Sequence, residues 1–120
     1  MSDKKKDEEI KAFLGRGAEF TGKLIFKGTV RIDGDFSGEI FGDGTLVIGE
    51  GGRITADIAA DIVLISGEVT GQIEAKERIE IYPQGRMHGN IKTPALIIKE
   101  GALFEGSSQM GKGTMESDSI

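Results

Sequence analysis

The sequence predicts an all-β solenoid of short parallel strands, and three features carry that expectation. A five-residue word, apolar-x-small-x-apolar, occurs at residues 20–24, 36–40, 54–58, 69–73, 87–91 and, with its last position degraded to serine, 104–108. The words begin at 20, 36, 54, 69, 87 and 104, giving steps of 16, 18, 15, 18 and 17 residues, and self-similarity at a short, nearly fixed period is the mark of a repeat architecture. Between words lies a second apolar pair with period two: Val30 and Ile32, Leu46 and Ile48, Val63 and Ile65, Ile79 and Ile81, Leu96 and Ile98. Period two means strand. The third feature is turn chemistry at the corners: Asp33-Gly34, Gly51-Gly52, Ser66-Gly67, Tyr82-Pro83-Gln84-Gly85 and Glu100-Gly101. Strands of four or five residues at this spacing leave no room for crossover helices, so a parallel β-helix of about six coils is expected.

Composition agrees. A 120-residue chain with 38% hydrophobic residues, six Phe and no Trp would make a thin globular core, but a solenoid buries each coil against its neighbours and needs no large aromatic centre.

Taken in order, residues 1–12 read as a charged, disordered tail with almost nothing apolar in its first nine positions. At its end Ile10, Phe13 and Leu14 stand at i, i+3 and i+4, the spacing of one side of a helical turn. Two roles are open to that turn. It can cap the first coil, whose core and strand edges are otherwise bare, or it can serve as a short membrane or partner anchor helped by Lys4, Lys5 and Lys6. Residues 13–108 form the β-helix. Within each word the first, third and fifth residues are expected inside, stacking Gly22, Gly38, Ala56, Gly71 and Gly89 as an inner file of small side chains. The intervening Thr21, Ser37, Thr55, Thr70, His88 and Glu105 would face solvent as a polar ladder. Residues 109–120 are small and polar and read as a second disordered tail, with Met110 and Met115 isolated in it.

Charge and chemistry narrow the function. Fifteen Lys and Arg against twenty Asp and Glu give a net charge of −5, and the positives form no stripe in the repeats, so no nucleic-acid partner is expected for the β-helix. There is no cysteine, which excludes disulfides and thiolate metal sites. No apolar run approaches membrane-spanning length, and a cytoplasmic chain is expected. The enzymatic alternative is a trimeric, hexapeptide-type left-handed β-helix acyltransferase, whose repeats also place a small residue two before an aliphatic one. Its base would be the single histidine, His88, on an outward position without an evident orienting group or oxyanion donor; one histidine is also too few for a zinc site. The paired acids Asp33 and Asp35, or Asp57 and Asp61, read as turn formers. Gly42-Asp43-Gly44 and Gly49-Glu50-Gly51-Gly52 precede neither a helix nor a Lys-Ser/Thr pair, so no phosphate cradle forms. No catalytic residue, metal or cofactor is assigned.

The order of three segments carries a family resemblance: residues 32–40 (IDGDFSGEI), residues 58–63 (IAADIV) followed by 67–75 (GEVTGQIEA), and residues 93–106 (TPALIIKEGALFEG). Over about residues 13–110 the chain resembles the bactofilins, the bacterial polymer-forming cytoskeletal family. The resemblance implies a right-handed, triangular β-helix of six windings that polymerises end to end into nonpolar filaments without nucleotide. It implies that Phe104 is the aromatic of the last winding on which polymerisation depends, with Leu96, Ile98 and Leu103 expected at the same end and Phe20, Leu24, Val30 and Ile32 at the other. It further implies attachment of some members to the inner membrane through an apolar N-terminal motif, from which the charged first nine residues here depart. The partners implied are copies of the same chain, together with cell-wall enzymes, shape determinants or chromosome-segregation proteins.

Overall fold

The computed structural model describes residues 10–110, with side chains from Leu14 onward. All regular structure in it is β. The strands are β1 (Ile10–Leu14), β2 (Glu19–Ile32), β3 (Asp35–Ile48), β4 (Arg53–Ile65), β5 (Glu68–Ile81), β6 (Arg86–Lys92), β7 (Leu96–Ile98) and β8 (Leu103–Gln109). They pair in parallel in the order β1-β2-β3-β4-β5-β6-β8, with β7 on β5. Strands β2 to β5 are each one turn of a solenoid, and β6 with β7 makes a fifth. The sixth word lies in β8, which starts a further turn that the described residues do not complete.

The register follows the repeat residue for residue. Phe20 pairs with Phe36, Phe36 with Ile54, Ile54 with Val69, Val69 with Met87 and Met87 with Phe104. The apolar pairs stack likewise, Ile32 on Ile48, then Ile65, Ile81 and Ile98. These rows are the core: Ile40, Leu46, Ile48, Val63, Ile65, Val69, Ile79, Ile81 and Met87 are fully buried. Thr21, Ser37, Thr55 and Thr70 are exposed, as the alternation requires. Register shifts fall between Phe41 and Thr45 and between Ala60 and Ile62, so unequal repeat lengths are absorbed away from the stacked rows. Backbone pairing continues round the corners, where the amides of Asp35, Arg53, Glu68, Arg86 and Leu103 donate to the carbonyls of Ala18, Gly34, Gly52, Gly67 and Gly85 one turn below, at 2.8–3.0 Å. These bonds satisfy backbone groups at the corners that the strand ladders do not reach.

Three expectations need correction. Ile10–Leu14 is a strand, not a helical turn; it pairs with residues 29–32 of β2, and Leu14 packs against the core. The tails are correspondingly shorter, since residues 10–12 belong to β1 and Gln109 to β8, while Met110 also packs on the core. The disorder expected for residues 1–9 and 111–120, and Met115, lie outside the described residues. The word glycines are not an inner file. Gly22, Gly38, Gly71, Gly89 and Gly106 take φ between +134° and +150°, a backbone state open in practice to glycine, and there the chain bends within the word. A Cβ at Gly38, Gly71, Gly89 or Gly106 would run into the carbonyl oxygen of the residue in register one turn below. Small size is needed there for stacking, not for interior room; Ala56, which has no positive φ, is the member that does lie inside.

Candidate assembly surfaces at the two ends of the coil

Each end of the described solenoid is a step half a turn high. At the first turn, β1 covers residues 29–32 of β2, but among the described residues no strand lies beneath the word at 20–24. At the last, β8 covers β6, whereas β7 is paired with β5 on one side and with no described strand on the other. The uncovered halves are the same apolar rows that are buried inside the stack. Phe20 is 42% exposed although its ring stacks on that of the buried Phe36, centroids 5.1 Å apart. Leu24 beside it is half-buried. At the other end Ile97, Ile98 and Leu103 are 39%, 45% and 40% exposed, and Phe104 is half-buried against the core.

The residues expected to line these ends divide accordingly. Phe20 and Leu24 are at the first-turn surface, and Ile98, Leu103 and Phe104 at the last. Val30 and Ile32 are not surface: β1 lies over them and they are 1% exposed. Leu96 is also buried. Ile97 was not anticipated, because period two turns it outward; the available signal was the apolar run Leu96-Ile97-Ile98, but Leu46-Val47-Ile48 and Val63-Leu64-Ile65 are identical in kind and their middle residues are half-buried.

The polar groups near the last turn act as clasps between turns. His88 Nδ1 lies 3.1 Å from Glu105 Oε1 in the turn above, and Ser107 Oγ donates to Asn90 Oδ1 at 2.7 Å. Arg78 Nε donates to Glu80 Oε2 at 2.6 Å, and the Tyr82 hydroxyl to Glu80 Oε1 at 2.9 Å. The Lys99 ammonium reaches Glu80 Oε1 at 4.0 Å and stands 4.9 Å over the Tyr82 ring. The hydrogen bond from Arg78 holds the Glu80 carboxyl below the usual carboxylate range, with Tyr82 and Lys99 adding to it against partial desolvation. The same carboxylate pushes the Tyr82 hydroxyl up. Within this set Arg78, Glu80 and Tyr82 belong to one turn, and Lys99, which follows β7, is the member that reaches across from the next. Among the described residues no group of three or more His, Asp or Glu is placed to hold a metal ion, and no helix is long and apolar enough to cross a membrane.

The family profile described as "Bactofilin: Polymer-forming cytoskeletal" matches residues 12–109. The chain belongs to the bactofilins. Bactofilin BacP of Myxococcus xanthus (strain DK1622) is 34% identical over 98 residues, covering 82% of this chain and 41% of that protein. Bactofilin BacO of the same organism is 36% identical over 87 residues, 72% of this chain and 64% of its own length, so this bactofilin spans less than two thirds of either relative. Among solved structures, the cryo-EM reconstruction of Thermus thermophilus bactofilin double helical filaments is similar with a TM-score of 0.76 and 36% identity, over 81% of this chain and 96% of that one. Bactofilins are structural cytoskeletal proteins rather than enzymes, and the acyltransferase alternative falls with that assignment. His88 is a rung of the polar ladder.

Proposed function

We propose that this bactofilin assembles end to end through its two stepped terminal turns into a cytoplasmic, nonpolar filament that needs no nucleotide. One observation carries the reading: the rows that are buried in every inner turn emerge at both ends as exposed or half-buried apolar side chains, beside strand edges that no described residue pairs with. A strand edge of this kind is a template for another chain, so a second copy can cover the exposed rows as each inner turn is covered by its neighbour, with the facing strands antiparallel across a two-fold. A half-turn step is also self-complementary, because a two-fold axis sets the raised half of one copy into the lowered half of the other. Like ends can therefore meet, which makes the polymer nonpolar. Among the described residues no glycine-rich loop opens a helix, which supports assembly without nucleotide.

The surface at the last turn is formed by Phe104, Leu103, Ile98 and Ile97, and that at the first by Phe20 and Leu24. Strand β1 engages Leu14 with the core, which favours the cap role for Ile10, Phe13 and Leu14 over that of an anchor to the inner membrane. Such a filament would scaffold cell-shape, cell-wall or chromosome-segregation partners by repeating one docking surface along its length.

Phe104→Arg tests the assembly site. An arginine there would bury an unpaired charge in the contact, which is costly, while the half-exposed position tolerates it in the free protein. The expected outcome is a folded protein by circular dichroism that stays in the supernatant on ultracentrifugation without nucleotide, where the parent pellets. Pelleting equal to the parent would remove Phe104 from the contact.

A further inference from the structure

The outer surface of the first two turns carries a patch that the end-to-end contact does not use. Ile25 is 70% exposed, more than any other large apolar side chain among the described residues. It is in register with Phe41 of the second turn, and Phe41 with Ala59 of the third; both are half-buried. The three line a groove of about 450 Å³ together with Lys27, Asp43, Glu74 and Lys76. Further along the same row the apolar character ends, because Glu74 and Lys92 follow and face each other at 4.0 Å.

The charges beside the patch are sorted by turn. The first turn carries Lys23 and Lys27 on either side of Ile25; the second carries Glu39 and Asp43 on either side of Phe41, in register with those lysines. All four are exposed, and Lys23 Nζ already stands 5.3 Å from the Phe41 ring centroid. Two basic residues in one rung and two acidic residues in the next make a surface complementary to itself under one particular rotation. A two-fold axis lying along the strands, between the first and second turns, sets Ile25 of one copy against Phe41 of the other. The same rotation brings Lys23 and Lys27 opposite Glu39 and Asp43, with the two solenoid axes antiparallel. A two-fold along the solenoid axis instead sets lysine against lysine and acid against acid. The acidic rungs, continued by Asp57 and Asp61 in the third turn, also weigh against an anionic bilayer as the occupant.

We infer that the Ile25–Phe41–Ala59 groove is a lateral contact between two copies of this chain, joining neighbouring filaments with their solenoid axes antiparallel. The inference rests on the filament reading, and it gives residues to a kind of contact that a double helical filament, as in the Thermus thermophilus relative, must possess beyond its end contacts. A patch of this size falls well short of the roughly 800 Å² per partner of a stable complex. It therefore acts only when repeated along two filaments, where linked weak contacts add.

The test is electron microscopy and sedimentation of the full chain and its variants, with thermal melts confirming the fold. The parent should show paired strands. Ile25→Lys should pellet as the parent does but as single strands, and so should K27E and D43K separately, since each sets like charges opposite one another. Mixing preassembled K27E filaments with preassembled D43K filaments should restore pairing, because each then offers the charge that the other lacks; a contact within one chain would not be restored by mixing. Parent filaments that are single, Ile25→Lys filaments that pair as the parent's do, or a mixture that stays single would each overturn the lateral contact and leave end-to-end assembly standing. A parent that forms no filaments at all would overturn the filament reading and this inference with it.

Discussion

Inner and terminal turns of this solenoid are built from the same words, and their side chains differ in burial for one reason. Phe36 and Phe20 hold the same place in successive words, yet one is 3% exposed and the other 42%. Ile81 and Ile98 hold the same place in successive pairs, at 0% and 45%. Nothing in the residue changes between the members of either couple; what changes is whether a turn lies on the far side. A turn does not bury its own apolar residues completely, since half of the covering is supplied by the turn stacked on it. Fully burying an isoleucine or phenylalanine is worth roughly 1.5–3 kcal/mol relative to exposure. A terminal turn that shows several of them therefore holds a stabilisation that a second copy can complete, which is what the proposed end-to-end assembly would use.

The harshest way to break the comparison is to block stacking itself. Gly71 has φ +139°, and a side chain there would meet the Ala56 carbonyl; backbone strain and clash together make Gly71→Val cost about 3 kcal/mol or more. Gly22 has nearly the same φ, +150°, but no turn is described beneath it, and an added Cβ would meet only the Phe20 ring, 3.3 Å away. Gly22→Ala should lose about 1–2 kcal/mol from strain alone and keep the fold, while reducing the pelleted fraction because the first-turn surface is altered. Urea unfolding followed by sedimentation separates the two. Equal destabilisation would mean that the word glycines are required for the bend and not for the approach of the turn below.

How much of this was legible in the sequence follows from the same contrast. The rows could be read because each inner residue repeats with a neighbour of its own type, so six words and five pairs fell into register without any structure. One inner row could not. Phe26 is paired with Gly42, and Ala60 with Ala75, so these positions run from an aromatic ring to no side chain; Phe26 and Gly42 work as a couple, the Phe26 ring taking the space a side chain at Gly42 would need. Size compensation between turns leaves no periodic trace. The spacing of Ile10, Phe13 and Leu14 fitted a helical turn as well as a strand, and the free strand edge at residues 29–32 decided it, a tertiary influence that local pattern does not contain. The end surfaces were half legible, because a row names Ile98 and Val30 alike and cannot say that β1 covers one while no described strand covers the other.

A gentler comparison sets Ile81→Ala against Ile98→Ala, each in the Phe104→Arg background so that assembly does not contribute to the measured stability. Ile81 is fully enclosed, and its truncation leaves a cavity costing about 2–4 kcal/mol. Ile98 is nearly half exposed, and the same change there should cost less than about 1 kcal/mol. In the otherwise unaltered chain the order reverses for assembly: Ile98→Ala should raise the concentration at which filaments form more than its small effect on stability accounts for. If Ile98→Ala leaves that concentration where it was, the last-turn surface is narrower than Leu103 and Phe104 with their neighbours.

The smallest expected effect comes from the ion cluster around Glu80, which Lys99 of the last full turn joins at 4.0 Å. Glu80 keeps its carboxyl below the ordinary range because Arg78, then Tyr82 and Lys99, favour the charged form. Its folded value is thus lower than its unfolded one, and the unfolded chain binds a proton first as the solution is acidified. The stability Glu80 contributes is fully present above about pH 4.3, the ordinary glutamate value, and is lost as pH falls from there through the depressed folded value. Arg78 is 40% exposed, so water screens the pair and the gain is modest. Glu80→Gln should lower the melting temperature near neutrality and flatten its decline on acidification, and the difference between parent and variant should close as the solution becomes more acidic than the parent's carboxyl tolerates. Melting curves that stay parallel across that range would show that the cluster positions Tyr82 and Lys99 without contributing charge-dependent stability, and would leave backbone pairing and apolar stacking to hold the last turn in place.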